Sequence, residues 1–221
     1  MITSRKCKIL TLLLSVGLFS TVGLLGQEQA PTGETLTPTF GIKGGLNFSN
    51  FYKTEVNDNN IKSNIHAGFF TKLPVTRGFS IQPELLYSSK GAQVTYDAGI
   101  FGDGKFNFNL NYVELPVLAV FNIGPNFNIH AGAYAAYLAS ANIKEVDKNG
   151  EDDEIVSFDE EDFNRFDYGL SGGIGFDINK FLIGARYNYG LGEIGKSDRL
   201  VTSGFRNSKN SVINLYIGFA F

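Results

Sequence analysis

Few residues in this 221-residue chain have types and spacings that could do chemistry. There are two histidines, His66 and His130, and one cysteine, Cys7. Hydrolysis or acyl transfer needs a histidine within reach of a nucleophile and a carboxylate. Each histidine instead stands by itself in a stretch of alternating character, and His130 follows the tight "GPN" turn so closely that it belongs near a rim of short turns. The densest charge is "KEVDKNGEDDEIVSFDEED" at 144–162, with ten acids and two lysines. Carboxylates at that density can collect a divalent cation. However, "DKNGEDDE" puts Gly150 fourth, where an EF-hand loop needs glycine sixth, so a solvated surface loop is expected. Gly172, Gly173 and Gly175 lie inside a strand pattern, lack the following helix of a phosphate-binding loop and read as relief of crowding in a narrow lumen. No catalytic, cofactor-binding or metal-ligating residue is assigned, and no enzyme activity is expected.

The elements that must position the remaining charges are strands. In "FGIKGGLNFSN", Phe40, Ile42, Gly44, Leu46 and Phe48 share one face, and Gly41, Lys43, Gly45, Asn47 and Ser49 share the other. Period-two alternation of this kind means a strand between two environments. The pattern recurs at 62–73, 78–90, 105–123, 126–143, 163–178, 181–190 and 210–221, which makes eight strands and no helical period. Between them, tight turns ("LPVTRG", "GPN", "NK") alternate with long segments at 51–61, 91–104, 144–162 and 191–209. Within 105–123, Phe106, Phe108, Leu110 and Tyr112 are on one count and Leu115, Val117, Ala119 and Phe121 on the other, so a bulge is expected near Tyr112–Glu114.

Residues 1–26 read as a signal peptide: Arg5, Lys6 and Lys8 precede an apolar run from Ile9 to about Leu25. A short linker at 27–38 would then lead into one domain at 39–221. Loss of the signal removes Cys7 and leaves 16 Lys and Arg against 22 Asp and Glu, a balance that excludes nucleic acid as a partner. A cysteine-free exported domain needs a large core or a closed hydrogen-bonded sheet. With 26 glycines, 20 phenylalanines, 10 tyrosines and no tryptophan, the composition favours the sheet.

Which face looks outward follows from where the charges and rings lie. Lys43, His66, Glu84, Glu114, Asp167, Asp177 and Arg186, with Lys72, Gln82, His130 and Asn214 beside them, suit a paired polar lumen. Aromatics gather at both strand ends: Phe40, Phe79, Phe121, Phe127, Phe176, Phe181 and Phe221 by the short turns, and Phe48, Tyr87, Phe106, Tyr137, Phe166, Tyr187 and Tyr189 by the long loops. Two such girdles mark the headgroup levels of a membrane barrel. The last stretch, "SVINLYIGFAF", has the length of a tilted membrane-crossing strand, and in lipid it must pair with the first strand. The expected fold is therefore all-β, an eight-stranded antiparallel up-and-down transmembrane β-barrel in the outer membrane. Its lumen would be just filled by side chains.

On "FGIKGGLNFSNF", "IQPELLYSSKGA", "LNYVELPVLAVF", "YGLSGGIGFDI" and "LIGARYNYGLG", the chain resembles the PorT-like outer-membrane β-barrel family common in Bacteroidetes, over roughly 39–221. The most specific phrase joins Tyr112, Glu114 and Pro116. The resemblance implies insertion by the barrel-assembly machinery, with Phe221 as part of the assembly signal, and for some members an association with protein secretion. The expected function is a non-enzymatic anchor seated in outer-membrane lipid, whose loops 144–162 and 191–209 contact a protein, such as another outer-membrane protein, a glycan or lipopolysaccharide. The alternatives are a narrow channel, or a soluble lipocalin-like barrel with its faces reversed.

Overall fold

In the computed structural model the described residues are 36–52, 59–97, 103–146, 152–156, 164–194 and 208–221. The expected signal peptide, most of the linker and much of the long-loop sequence lie outside them. Eight strands form the wall: β1 (Thr39–Tyr52), β2 (Asn59–Thr76), β3 (Phe79–Asp97), β4 (Asp103–Asn122), β5 (Phe127–Val146), β7 (Phe166–Ile178), β8 (Phe181–Gly190) and β9 (Lys209–Ala220). A short β6 (Asp152–Val156) pairs with β5 outside the ring. Each wall strand is antiparallel to the next, β4 pairs with β5 and β5 with β7, and β1 pairs with β9 from Gly41↔Ala220 to Tyr52↔Lys209. The ring is closed, so the wall has no edge and every strand of it has two hydrogen-bonded neighbours.

The short turns are tighter than the sequence suggested. The segment "LPVTRG" is mostly strand, because β2 continues through a register irregularity at Pro74/Thr76 and leaves only Arg77 and Gly78 to turn. Asn179, at φ 56°, makes the β7–β8 turn, a left-handed position that asparagine tolerates. These turns are stitched to their neighbours: Asn122 N donates to Gly78 O at 2.9 Å and Ala220 N to Lys180 O at 2.8 Å. Phe221 N donates to Phe40 O at 2.9 Å, which carries the stitching across the closing seam.

The opposite rim departs further from expectation. The segment 91–104, read as a loop, is mostly strand: β3 runs to Asp97 and β4 begins at Asp103, paired to their ends. At 19 and 20 residues these two strands are about twice what a membrane crossing needs. Beyond Tyr137↔Phe166, where β5 leaves β7, β5 continues to Val146 between β4 and β6. The acid-rich segment thus contains a strand that its composition concealed. The bulge expected within β4 is also misplaced: β4 keeps its parity, with Leu110, Tyr112, Glu114, Leu118 and Val120 all buried. The irregularity lies across from it in β5, where Ala139 is the extra residue between Leu138 (opposite Tyr112) and Ser140 (opposite Asn111). The physical reason is that the lumen accepts apolar as well as polar side chains, so Leu110 and Tyr112 point inward without any switch of face.

The faces are assigned by burial. Ile42, Leu46, Phe69, Leu85, Val117, Ile183 and Leu215 are exposed on the outer wall, whereas Lys43, Glu84, Lys90, Glu114 and Arg186 are buried inside. This is the reverse of a soluble barrel built around an apolar ligand. The rings form two belts. On the short-turn side Phe79 packs against Phe121 (5.1 Å) and Phe127 against Phe176 (5.2 Å), both tilted, and Phe181 meets Phe219 edge-on (5.3 Å). On the other side Tyr137 meets Phe166 at 5.3 Å and Tyr187 lies 6.5 Å from Tyr189.

Candidate functional site: the lumen network

Narrow curvature comes first, because it decides what fits inside. A Cβ on Gly45 of β1 would strike the Leu215 carbonyl and meet Tyr216 Cα at 2.8 Å, so β1 can approach β9 closely at the seam only with glycine there. The long side chains of the neighbouring inward positions then reach across the lumen and meet.

They meet in two clusters. In the first, the Glu84 carboxylate on β3 accepts from both guanidinium nitrogens of Arg186 on β8 (2.8 and 2.9 Å), from Lys43 Nζ on β1 (3.0 and 3.2 Å) and from Gln82 Nε2 (2.7 Å). The Tyr216 ring packs beside the cations, 3.9 Å from Lys43 Nζ and 5.6 Å from the Arg186 guanidinium carbon. In the second cluster Lys90 Nζ lies 2.7 Å from Glu114 and 3.2 Å from Asp167. Asn188 donates to Glu114 at 3.2 Å, and Asn210 and the Tyr134 hydroxyl donate to Asp167 at 2.9 and 3.3 Å. Lys90 also lies 4.4 Å from the Tyr134 ring and 5.1 Å from that of Tyr112. All six ionic side chains are nearly excluded from solvent.

Charges buried this deeply are stable only when paired and hydrogen-bonded. Among the described residues three cations (Lys43, Lys90, Arg186) face three carboxylates (Glu84, Glu114, Asp167), so the buried ions sum formally to zero. The first cluster has one cation in excess and the second one carboxylate in excess.

Of the residues expected in the lumen, Lys43, Glu84 and Arg186 are brought together, and Glu114 and Asp167 share a second partner. Asp177 belongs to neither group: it pairs with Lys72 at 2.5 Å near the short-turn rim, where both side chains keep some solvent. His66 Nδ1 lies 2.6 Å from Asn47 Oδ1, and Asn47 also donates to Ser88 and to the Ser89 carbonyl. His130 Nδ1 lies 3.2 Å from Asn128. Neither histidine is joined to a hydroxyl nucleophile or a carboxylate among the described residues, and no described group of three or more His, Cys, Asp or Glu has a metal-binding arrangement. Phe221 is on the outer side, 5.8 Å ring to ring from Phe219.

Sequence reasoning missed Lys90, the centre of the second cluster, together with Tyr134, Asn188 and Asn210. Lys90 shares parity with Glu84, Leu86 and Ser88, so the signal was present. The loop-like composition that begins at Gly91 hides it, because Lys90 then falls at the expected end of the strand.

The model of a family described as outer membrane protein beta-barrel domain matches residues 27–195. No curated protein sequence matches. Among solved structures, the attachment invasion locus protein Ail of Yersinia pestis is 15% identical, with 83% of this chain and 98% of that one covered and a TM-score of 0.45. Neisserial surface protein A is 11% identical over 84% of this chain and 99% of that one, with a TM-score of 0.47. The N-terminal barrel of Pseudomonas aeruginosa OprF is 12% identical over 82% and 97%, with a TM-score of 0.39.

Proposed function

Because the chain belongs to the outer membrane protein beta-barrel domain family and is an outer-membrane protein, we propose that it is a plugged, non-enzymatic anchor whose function lies in what it holds above the long-loop rim. The filled lumen carries this reading. Side chains from β1, β3, β4, β7, β8 and β9 bridge it in two buried ionic clusters. A wall locked from within is a rigid base for display rather than a general pore. The lengthened β3, β4 and β5 with β6 support it, because they raise a sheet beyond the membrane crossing.

In this reading the short turns face the periplasm and the segments 144–162 and 191–209 face outward, as in outer-membrane barrels generally. The partner is lipopolysaccharide or another outer-membrane protein, and a PorT-like accessory role in protein secretion is one version. Phe221 serves the barrel-assembly machinery.

The test uses the one cysteine's position in the expected signal peptide. Glu154→Cys in intact cells should react with a membrane-impermeant maleimide, and Asn179→Cys should react only after permeabilisation. The reverse pattern overturns the orientation. In planar bilayers the purified barrel should show no reproducible open level; a level abolished by Glu84→Gln would establish the narrow-channel alternative instead.

A further inference from the structure

The outer wall is not uniformly convex. On the β1–β2–β9 face there is a concavity of about 730 Å3, within the size range of small-molecule sites. Its origin is local. Gly44 and Ala67 form a register pair on the outward face, and Gly44 is also opposite Ile217, so the wall is thin there while Ile42, Phe69 and Ile217 stand up around it. The backbones of Gly45, Gly68 and Gly218 complete the floor. On the short-turn side the notch is closed by Phe181 and Phe219, a register pair in edge contact at 5.3 Å. At that end stands a cation: Lys180, the residue before Phe181, holds its Nζ over the Phe219 ring at 5.9 Å.

We propose that this notch is a binding site for one glycerophospholipid of the periplasmic leaflet, with an acyl chain lying along Gly44 and Ala67 and the phosphate against Lys180. Three observations select this occupant. The site is on the lipid-facing side of an outer-membrane barrel, so its natural contents are acyl chains. It lies only a few residues above the short turns: Phe181 directly follows the β7–β8 turn and Phe219 precedes the end of β9 by one residue. That places it in the leaflet nearer the turns. Its apolar walls lead to the Lys180 ammonium at headgroup level, the complement of a phosphate below a hydrocarbon tail. The aromatic walls fix the chain laterally, and the absent side chain of Gly44 and the small methyl of Ala67 supply the depth.

The proposal takes from the preceding section only the orientation, which maleimide labelling tests separately. Native mass spectrometry of the full barrel, released from a mild detergent and titrated with palmitoyl-oleoyl phosphatidylglycerol, should show one saturating adduct. Ala67→Leu adds apolar bulk to the lipid-facing floor and should leave the barrel heat-modifiable on gels while reducing that adduct at least tenfold. Lys180→Gln should keep the acyl site but abolish the preference for phosphatidylglycerol over phosphatidylcholine. Statistical adducts on the wild type, an adduct unchanged by Ala67→Leu in folded protein, or a dimer in place of the lipid would each overturn the assignment.

Discussion

Replacing Glu84 by glutamine keeps the shape of the side chain and removes its charge from between two buried cations. In the native barrel this carboxylate is the acidic partner of both Lys43 and Arg186, at 3.0 and 2.8 Å. At an effective dielectric of about 20, an ion pair near 3 Å is worth roughly 5 kcal/mol before desolvation. Lys43 and Arg186 stay desolvated in the variant, so the attraction is lost and the cost of burial is kept. Relaxation and water entry reduce this, and breaking buried pairs by removing one partner typically costs about 3–5 kcal/mol. With a urea slope of about 2 kcal/mol/M the unfolding midpoint would fall by about 1.5–2.5 M. Because the chain has no tryptophan, the assay is urea unfolding in phospholipid vesicles read by far-ultraviolet circular dichroism and by gel mobility. Lys43→Met should cost less, since Glu84 keeps Arg186. The double variant should be more stable than the sum of the two single losses implies, because one stranded cation has gone. A Glu84→Gln barrel within about 0.5 kcal/mol of wild type, or strict additivity with Lys43→Met, would refute the view that this carboxylate holds the lumen together.

Position in the lumen should grade the other ion pairs: Lys90→Met is expected to cost several times more than Lys72→Met, whose partly solvated pair with Asp177 is worth at most about 1 kcal/mol, and equal losses in the same unfolding assay would contradict this. Gly45→Ala should lower folding yield and stability by about 1–3 kcal/mol, because its Cβ meets the β9 backbone. Gly172, unlike Gly173 and Gly175, does not relieve crowding as its sequence context suggested: its Cβ position is open, so Gly172→Ala is the matched control and should be near neutral. Leu215→Arg, on the lipid face, should destabilise by about 2–4 kcal/mol in vesicles; no loss would mean that the faces are reversed. Deleting Phe221 should reduce the amount of heat-modifiable barrel in the membrane fraction, and a normal amount would remove its role in assembly.

Strand count and the two faces were legible in the sequence because each depends on local alternation, as in β1, where Lys43, Asn47 and Ser49 stay on the buried side throughout. Partnership was not legible. That Glu84 meets Arg186 and not Asp167 depends on how far each strand is staggered around the ring, and stagger is a property of eight registers together. Lys90 was lost at a boundary, where glycine and serine composition imitated a loop although β4 extends alongside. The apolar count that joins Leu110 and Tyr112 to Phe106 and Phe108 suggested a bulge, although a barrel this narrow packs apolar side chains beside its ions and needs none in β4. β6 was invisible because acids disfavour strands and only the protruding end of β5 makes one of them.

The wiring of the first cluster also constrains the order of events in which the barrel forms. Glu84 is 41 residues from Lys43 and 102 from Arg186 in the chain, so no single hairpin contains all three. The segment β1 to β3 can offer Glu84 only Lys43, and Arg186 is supplied by β8, far later in the chain. Contacts this distant in sequence form late and slow the reaction. Completing the cluster and sealing the β1–β9 seam become nearly the same event, and the Glu84–Arg186 bridge acts as a latch that engages only when the whole circle is present.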